Sequence, residues 1–349
     1  MENLLTYADS VNKNNIWIIE EATEKYYRLL DRATVRFNEK MEALEQRCLD
    51  PGESPEVLFS GVTEAINDMR KVCEEFELGV DYDKILIKEA QNEFREKTKH
   101  LISKSYFNRA RIWPQGYQGD YMMLDAVYRN TPLSSGIGYY LDKYFLSATL
   151  AVAVRERRIT LRNLLEREIK NRKNPKILDI ACGSSREVFE LASDIEKSGA
   201  KLTCIDFDSD ALAFSADRLS YTGLSSENLE FRKYNALKMV NHNRNLKEFG
   251  MQDIIYSTGL YDYLGDEVLI LLLGSLYKLL TPGGSLIASF KDCRCYKNFD
   301  TQWLLAWDGF LQRTEEQFWA LIKKAEIPLS VITTTRENSG VIIFFTATK

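Results

Sequence analysis

From Asn12 to Cys48, apolar residues return every three or four positions: Ile16, Ile19, Tyr26, Leu29, Leu30, Ala33, Phe37, Met41 and Leu44. That period paints one face of an amphipathic helix. "DPGESPEV" interrupts it, and Ser54-Pro55 carries the chemistry of a new helix start, a capping hydroxyl followed by a proline in the first turn. A second stripe (Leu58, Val62, Ala65, Ile66, Met69, Val72, Cys73, Phe76) runs to near Gly79, and a third helix is predicted from about Tyr82 to Ser105. Further helix is predicted over Tyr121–Tyr128 and from Gly138 to about Asn171. The first hundred or so residues show almost no strand pattern, so a helical bundle or arm is expected there, each stripe needing a partner surface.

Beyond "KNRKNPK" the texture changes. Short apolar runs, "KILDIA" (176–181), "KLTCIDFD" (201–208), "LEFRKYN" (229–235), "DIIYST" (253–258) and "SLIASF" (285–290), alternate with helical stretches. Such alternation predicts right-handed crossovers and a parallel sheet covered on both faces. Near the end, "LSVITTT" and "VIIFFTATK" are separated only by "RENSG", which suits an antiparallel hairpin. The expected organisation is a helical N-terminal domain (1–108), a helical cap or lid segment (109–170) and an α/β domain (171–349).

Composition narrows the class. With 45% hydrophobic and 28% charged residues, the chain reads as a soluble globular protein. A net charge of -5 argues against gripping nucleic acid. Six cysteines are too sparse for a disulfide scaffold, and "CRC" at 293–295 lacks a second ligand pair at zinc spacing, so no metal is expected. "VLILLLGSLYKLL" is too short to span a bilayer, and "MENLLTYADS" shows no secretory pattern, so a cytoplasmic location is expected.

In an open parallel sheet, ligands bind beyond the carboxyl ends of the strands near the switch in strand order. The first such end here is "LDIACGSSRE". Gly183 lets a ligand approach the backbone, with a helix N-terminus behind it. A dinucleotide fingerprint would place its glycines at Ala181, Gly183 and Arg186; arginine obstructs close packing under a pyrophosphate, which disfavours NAD. Asp206 ends the second strand, where a carboxylate accepts both hydroxyls of a ribose. Asp208 and Asp210 fit a turn or helix cap better.

"ILDIACGSSRE", "CIDFDSDAL", "DIIYSTG" and "LTPGGSLIAS", in that order, resemble the motifs of class I S-adenosylmethionine-dependent methyltransferases over roughly residues 170–349. The resemblance implies a Rossmann-like sheet of seven strands with the last antiparallel, and S-adenosylmethionine as donor with S-adenosylhomocysteine as product. It implies that Ala181, Cys182 and Gly183 hold the methionine part, supported by Asp179. Asp206 would take the ribose, with Phe207 and Asp208 beside it. Asn235 and Ala236 would face the adenine, and Ser257, Thr258 and Gly259 would lie beside the sulfonium. More narrowly, "ACGSSRE", "YSTGLYDYL", "WLLAWDGFLQRTEEQF", "GYQGDY" and "AVRERR" resemble extracellular-factor 3-hydroxypalmitic acid methyl ester biosynthesis proteins, which implies carboxyl O-methylation of a hydroxy fatty acid.

"GYQGDYMML" (116–124) then has a candidate role as a lid: Gly116 and Gly119 supply the turn, and Tyr117, Asp120 and Tyr121 face a sulfonium cation. The competing reading packs the tyrosines on the helices and uses Asp120 as a helix cap. Tyr261, Asp262 and Tyr263, directly after the fourth strand, are candidates for the acceptor side, with Asp120, Asp262 or a tyrosine as a base. In "VRERR", Arg155, Arg157 and Arg158 are candidates to recruit an anionic acceptor, with Arg155 and Arg158 preferred; Trp307 and Arg313 are candidates for the far wall. His100 and His242 lie in no motif. The leading expectation is an O-methyltransferase of a small acid or hydroxy acid. A protein or peptide methyltransferase with docking helices, and a non-catalytic cofactor-binding scaffold, are the alternatives; N-terminal helices also suit homo-oligomer formation.

Overall fold

The computed structural model describes residues 2–349, with side chains from Thr23 onward. Ile16 and Ile19 of the first predicted stripe therefore lie outside the described side chains. The chain divides into two compact units, one of residues 1–112, 131–146 and 298–306, the other of 113–130, 147–297 and 307–349.

In the helical unit, α1 (Glu2–Arg47) buries Leu30, Phe37, Met41 and Leu44, and packs along α2 (Pro55–Gly79). Ser54 caps α2 by accepting from the Val57 amide, with Pro55 in its first turn. Asp83 caps α3 (Lys84–Lys97) by accepting from the Ile85 and Leu86 amides. The helix expected to run on to Ser105 breaks at Thr98, whose hydroxyl donates to the Phe94 carbonyl at 2.8 Å. This back-bonding bends helices, and α4 (Lys99–Ile102) and α5 (Arg109–Ile112) follow as short turns. A π turn at Asp300–Leu304 joins this unit from far along the chain: Trp303 donates to Glu77 at 2.7 Å and meets the rings of Phe76 and Phe94 edge-on.

Two more helices precede the sheet in sequence, α6 (Tyr121–Arg129) and α7 (Ile137–Ser147). The long helix predicted from Gly138 is interrupted where Ala148 adopts extended backbone (φ -63, ψ 147), and α8 (Thr149–Lys170) starts afresh. Alanine is the best helix former, so nothing local announces that break.

The second unit is built on a seven-stranded sheet of order β3-β2-β1-β4-β5-β7-β6. Its strands are β1 (Lys176–Ile180), β2 (Lys201–Asp206), β3 (Leu229–Lys233), β4 (Gln252–Ser257), β5 (Leu280–Lys291), β6 (Ile332–Arg336) and β7 (Ile342–Thr348). The first five run parallel, and β7 is antiparallel to both its neighbours, β5 and β6. The predicted terminal hairpin is β6–β7. The crossovers carry α9 (Arg186–Ser198), α10 (Ser209–Ser220), α11 (His242–Phe249), α12 (Asp266–Lys278) and α13 (Glu315–Lys324).

Successive strand residues enter opposite cores. Leu178, Ile180, Ile205 and Ile255 join Leu272 and Leu276 of α12 and Phe318 and Ile322 of α13. Ile177, Leu202, Cys204 and Ile254 join Leu161 and Leu165 of α8 and Val188 and Leu191 of α9. Strand order reverses between β1 and β4, so their carboxyl ends lie side by side. That is the crevice where open α/β sheets bind ligands.

Candidate functional site

The turn after β1 is wound tightly. Ala181 (φ 56), Gly183 (φ 52) and Ser185 (φ 44) all occupy the left-handed region within five residues. For alanine and serine this costs on the order of 1–3 kcal/mol each, and such strain gathers at ligand sites. The turn is held from several sides. Ser215 Oγ donates to the Gly183 carbonyl at 2.8 Å and Arg218 to the Ser184 carbonyl at 2.8 Å. The Gly183 amide donates to Asp206 Oδ2 at 3.0 Å, and the Asp208 amide to Asp206 Oδ1 at 2.9 Å.

Asp206 is thus fixed by two backbone donors and keeps acceptor capacity for two more. Burial raises its pKa from the ordinary carboxylate value. A Cβ at Gly183 would meet nothing nearer than Tyr121 Cβ at 3.9 Å, so the glycine faces open room. Asp179 is buried, and its Oδ2 has no hydrogen-bond partner; burial first, then the negative Glu187, push its pKa well up. An orphaned buried oxygen is rare in folded proteins and asks for a partner. Asp179, the 181–185 turn and Asp206 therefore fit a ligand with an ammonium or hydroxyl donors.

The glycine-tyrosine stretch 116–121 comes to this same corner. Tyr117 Oη donates to Asp208 Oδ2 at 2.8 Å, and its ring meets Phe207 at 4.9 Å between centroids. Asp208 also caps α10, accepting from the Asp210 amide at 2.9 Å. Gln118 bridges to Asp308 Oδ1 (3.1 Å) and accepts from the Gly309 amide (2.6 Å). Asp120 is the cap of α6, accepting from the amides of Met122 and Met123 at 2.9 Å, so the capping reading of this aspartate holds. Tyr121 packs at 5.2 Å on the Phe214 ring.

Beyond β4, Ser257 Oγ donates to the Ile180 carbonyl at 2.7 Å, and Thr258 and Gly259 (φ 87) follow, partly buried. Asn235 is exposed and caps the turn after β3 by accepting from the Leu237 amide; Ala236 starts that turn. Asp262 is buried in an ion pair with Lys291 at 2.5 Å. Lys291 Nζ lies 4.7 Å from the Phe310 ring centre and 5.9 Å from that of Tyr263, and burial lowers its pKa. Trp307 Nε1 donates to Tyr263 Oη at 2.5 Å, so Tyr263 and Trp307 form one wall.

Three expectations change. Tyr261 is fully enclosed in the core beside Phe290 and is not brought to the Tyr263–Trp307 wall. Arg313 is buried as a brace, bonding Asp266 and the carbonyls of Tyr261 and Leu264, and has no free face for an acceptor. Among the arginines of "VRERR", Arg158 is ion-paired with Glu190 and Arg155 is half-buried, whereas Arg157 is the deeply buried one. Helical rotation decides this: Arg157 shares the inward face of α8 with Ala153, Val154 and Leu161. Lys291 is not legible as a site residue in the sequence, for a plain reason. It stands at the end of an apolar strand, and nothing local says that its charge turns inward.

Residues 171–325 match a family described as Methyltransferase domain. Over its length the chain has the fold of a Bordetella parapertussis structure described as a possible exported protein, with 17% identity, coverage of 91% of this chain and 96% of that one, and a TM-score of 0.54. Two methyltransferases score lower. Magnesium protoporphyrin IX methyltransferase of Synechocystis PCC 6803, with bound S-adenosylmethionine, shows 11% identity, coverage of 57% and 83%, and a TM-score of 0.42. The N-methyltransferase NodS of Bradyrhizobium japonicum WM9, with S-adenosylhomocysteine, shows 16% identity, coverage of 56% and 87%, and a TM-score of 0.38. Below 0.5, these two likenesses add nothing to the fold assignment. No curated protein matches the sequence. Among the described residues, no helix is long and apolar enough to cross a membrane. Residues 171–325 carry a methyltransferase domain on the α/β sheet, preceded by a helical N-terminal region.

Proposed function

Taking that methyltransferase domain as premise, we propose that the protein methylates the carboxylate of a small apolar hydroxy acid, the 3-hydroxypalmitate class implied by the narrower sequence resemblance. In this reading Asp206 holds the ribose hydroxyls, the Ala181–Cys182–Gly183 turn and Asp179 hold the methionine part, and Asn235 and Ala236 border the adenine with Phe207. Ser257, Thr258 and Gly259 lie beside the sulfonium. The Trp113–Asn130 stretch of the cap, which clusters with the sheet, closes over the donor through Tyr117. Tyr263 and Trp307 wall the acceptor. Six unpaired cysteines suit a reducing cytoplasm.

When bound, S-adenosylmethionine supplies an electrophilic methyl group, so the chain's task is alignment and exclusion of water. The observation that carries the choice of carboxylate is that the bases offered by the sequence are already engaged. Asp120 caps α6, Asp262 is paired with Lys291, and Tyr261 is enclosed in core. Burial raises the pKa of the Tyr263 phenol, which keeps it a proton donor at neutral pH. His100 bonds Glu42 in the helical unit, and His242 opens α11. An alcohol or amine acceptor generally has to lose a proton; an ionised carboxylate does not.

The test has two parts. Calorimetry with S-adenosylhomocysteine should show binding that Asp206→Ala weakens by about 3 kcal/mol, roughly a hundredfold, from two lost hydrogen bonds to a charged acceptor. Transfer of tritiated methyl to 3-hydroxypalmitate should yield lipid label that alkali releases as methanol, as a methyl ester must. Label confined to protein, or stable to alkali, would reject the carboxylate reading.

A further inference from the structure

Arg157 is 3% exposed. Among the described residues its one hydrogen bond runs from Nη2 to Tyr128 Oη at 3.0 Å, a neutral partner. Its Nη1 lies 3.1 Å from the point a Cβ on Gly259 would occupy. The guanidinium therefore fills the space that a side chain at 259 would take, against the backbone leaving β4.

Two buried acids, Asp262 and Glu187, face it and favour its charged form, but neither is bonded to it. Asp262 is ion-paired with Lys291, and Glu187 accepts from Tyr256 Oη at 3.3 Å. Lys291 adds a second cation to the same neighbourhood. A guanidinium has five N–H donors, and burying it without a matched anion costs several kcal/mol. Under the function proposed above, this is also the sulfonium's side of the site. A guanidinium there repels the donor's sulfonium, and a ligand carboxylate placed between the two charges offsets that repulsion.

We propose that Arg157 is the carboxylate receptor of this site, with Tyr128 as the positioning residue that fixes its guanidinium. Planar, two-pronged donation is what distinguishes arginine for this task. The inference rests on the methyltransferase reading, and it goes beyond it by assigning recognition to a residue set apart from the turn at Gly183 and from Asp206. Two carboxylates are available to it, the α-carboxylate of the donor's methionine part and that of the acceptor.

The experiment compares wild type, Arg157→Gln, Arg157→Lys and Tyr128→Phe in three binding titrations. The probes are S-adenosylhomocysteine, methylthioadenosine (the same nucleoside without the amino acid) and 3-hydroxypalmitate. A donor-side receptor weakens S-adenosylhomocysteine about ten- to a hundredfold in Arg157→Gln and leaves methylthioadenosine unchanged. An acceptor-side receptor leaves both nucleosides unchanged and weakens 3-hydroxypalmitate by a similar factor, with KM rising more than kcat falls. In either case Arg157→Lys and Tyr128→Phe shift the same probe by less. Unchanged affinities for every probe in a normally melting Arg157→Gln protein overturn the proposal. Should that variant not fold, Tyr128→Phe decides, because it removes one hydroxyl: an affinity shift restricted to the carboxylate-bearing probes supports the receptor, and none overturns it. Failure of wild type to bind S-adenosylhomocysteine would instead remove the methyltransferase reading beneath it.

Discussion

Gly119 and Gly116 offer a matched pair of perturbations. Both have positive φ, 69 and 79, so alanine at either pays the left-handed penalty of roughly 1–2 kcal/mol. Only Gly119 is also crowded. A Cβ there would stand 2.6 Å from Trp307 Cζ2 and 3.2 Å from Tyr263 Oη, whereas a Cβ at Gly116 meets nothing within 4 Å. Trp307 cannot retreat freely, because its indole nitrogen is bonded to Tyr263 Oη at 2.5 Å. Moving the ring adds an overpacking cost of about 1–3 kcal/mol, of which about 1 kcal/mol is the strained hydrogen bond. Gly116→Ala is therefore expected to cost about 1 kcal/mol and Gly119→Ala about 3 kcal/mol, a difference of about 2 kcal/mol that belongs to the wall. Urea unfolding of the two variants, followed by tryptophan emission, measures it. Equal losses in both would refute the idea that the lid stretch is seated on the Tyr263–Trp307 wall.

Lys291→Met leaves Asp262 buried without its cation and is expected to cost 3–5 kcal/mol, of the order seen for broken buried pairs. The double variant Lys291→Met/Asp262→Leu should recover most of that loss; urea unfolding of wild type, both single variants and the double variant checks the coupling, and simple additivity would count against a buried pair. For Asp292, hydrogen bonding from Arg294 first and Arg336 next brings the carboxyl pKa down to about 2. A depressed acid stabilises the fold above its unfolded value, 3.8, and loses that contribution as pH falls through the folded one. About 1 kcal/mol, allowing for solvent screening, is expected to disappear between about pH 4 and pH 2. Asp292→Asn should flatten that part of the stability–pH curve, and a curve identical to wild type would reject the assignment.

Much of this protein is written locally. The apolar periods of three to four and of two residues, together with Ser54-Pro55 and "RENSG", state the helices of the N-terminal region, the alternating strands and the terminal hairpin. Ordered short motifs place the β1 turn and Asp206 at adjoining strand ends. These features follow from neighbours in sequence, because caps, turns and amphipathic faces are decided within a few residues. Other features depend on chain segments far apart. The break at Ala148 goes against alanine's own preference, and the enclosure of Tyr261 depends on Phe290 beside it. Arg313 becomes a brace only because Asp266 and two carbonyls converge on it. Tyr117 reaches Asp208 across ninety-one positions of sequence. The choice of Arg157 over Arg155 and Arg158 is likewise tertiary: all three carry the same charge in one short run, and what separates them is which face of α8 is turned inward. Sequence period specifies that such a face exists; the packing around it decides which charge is buried.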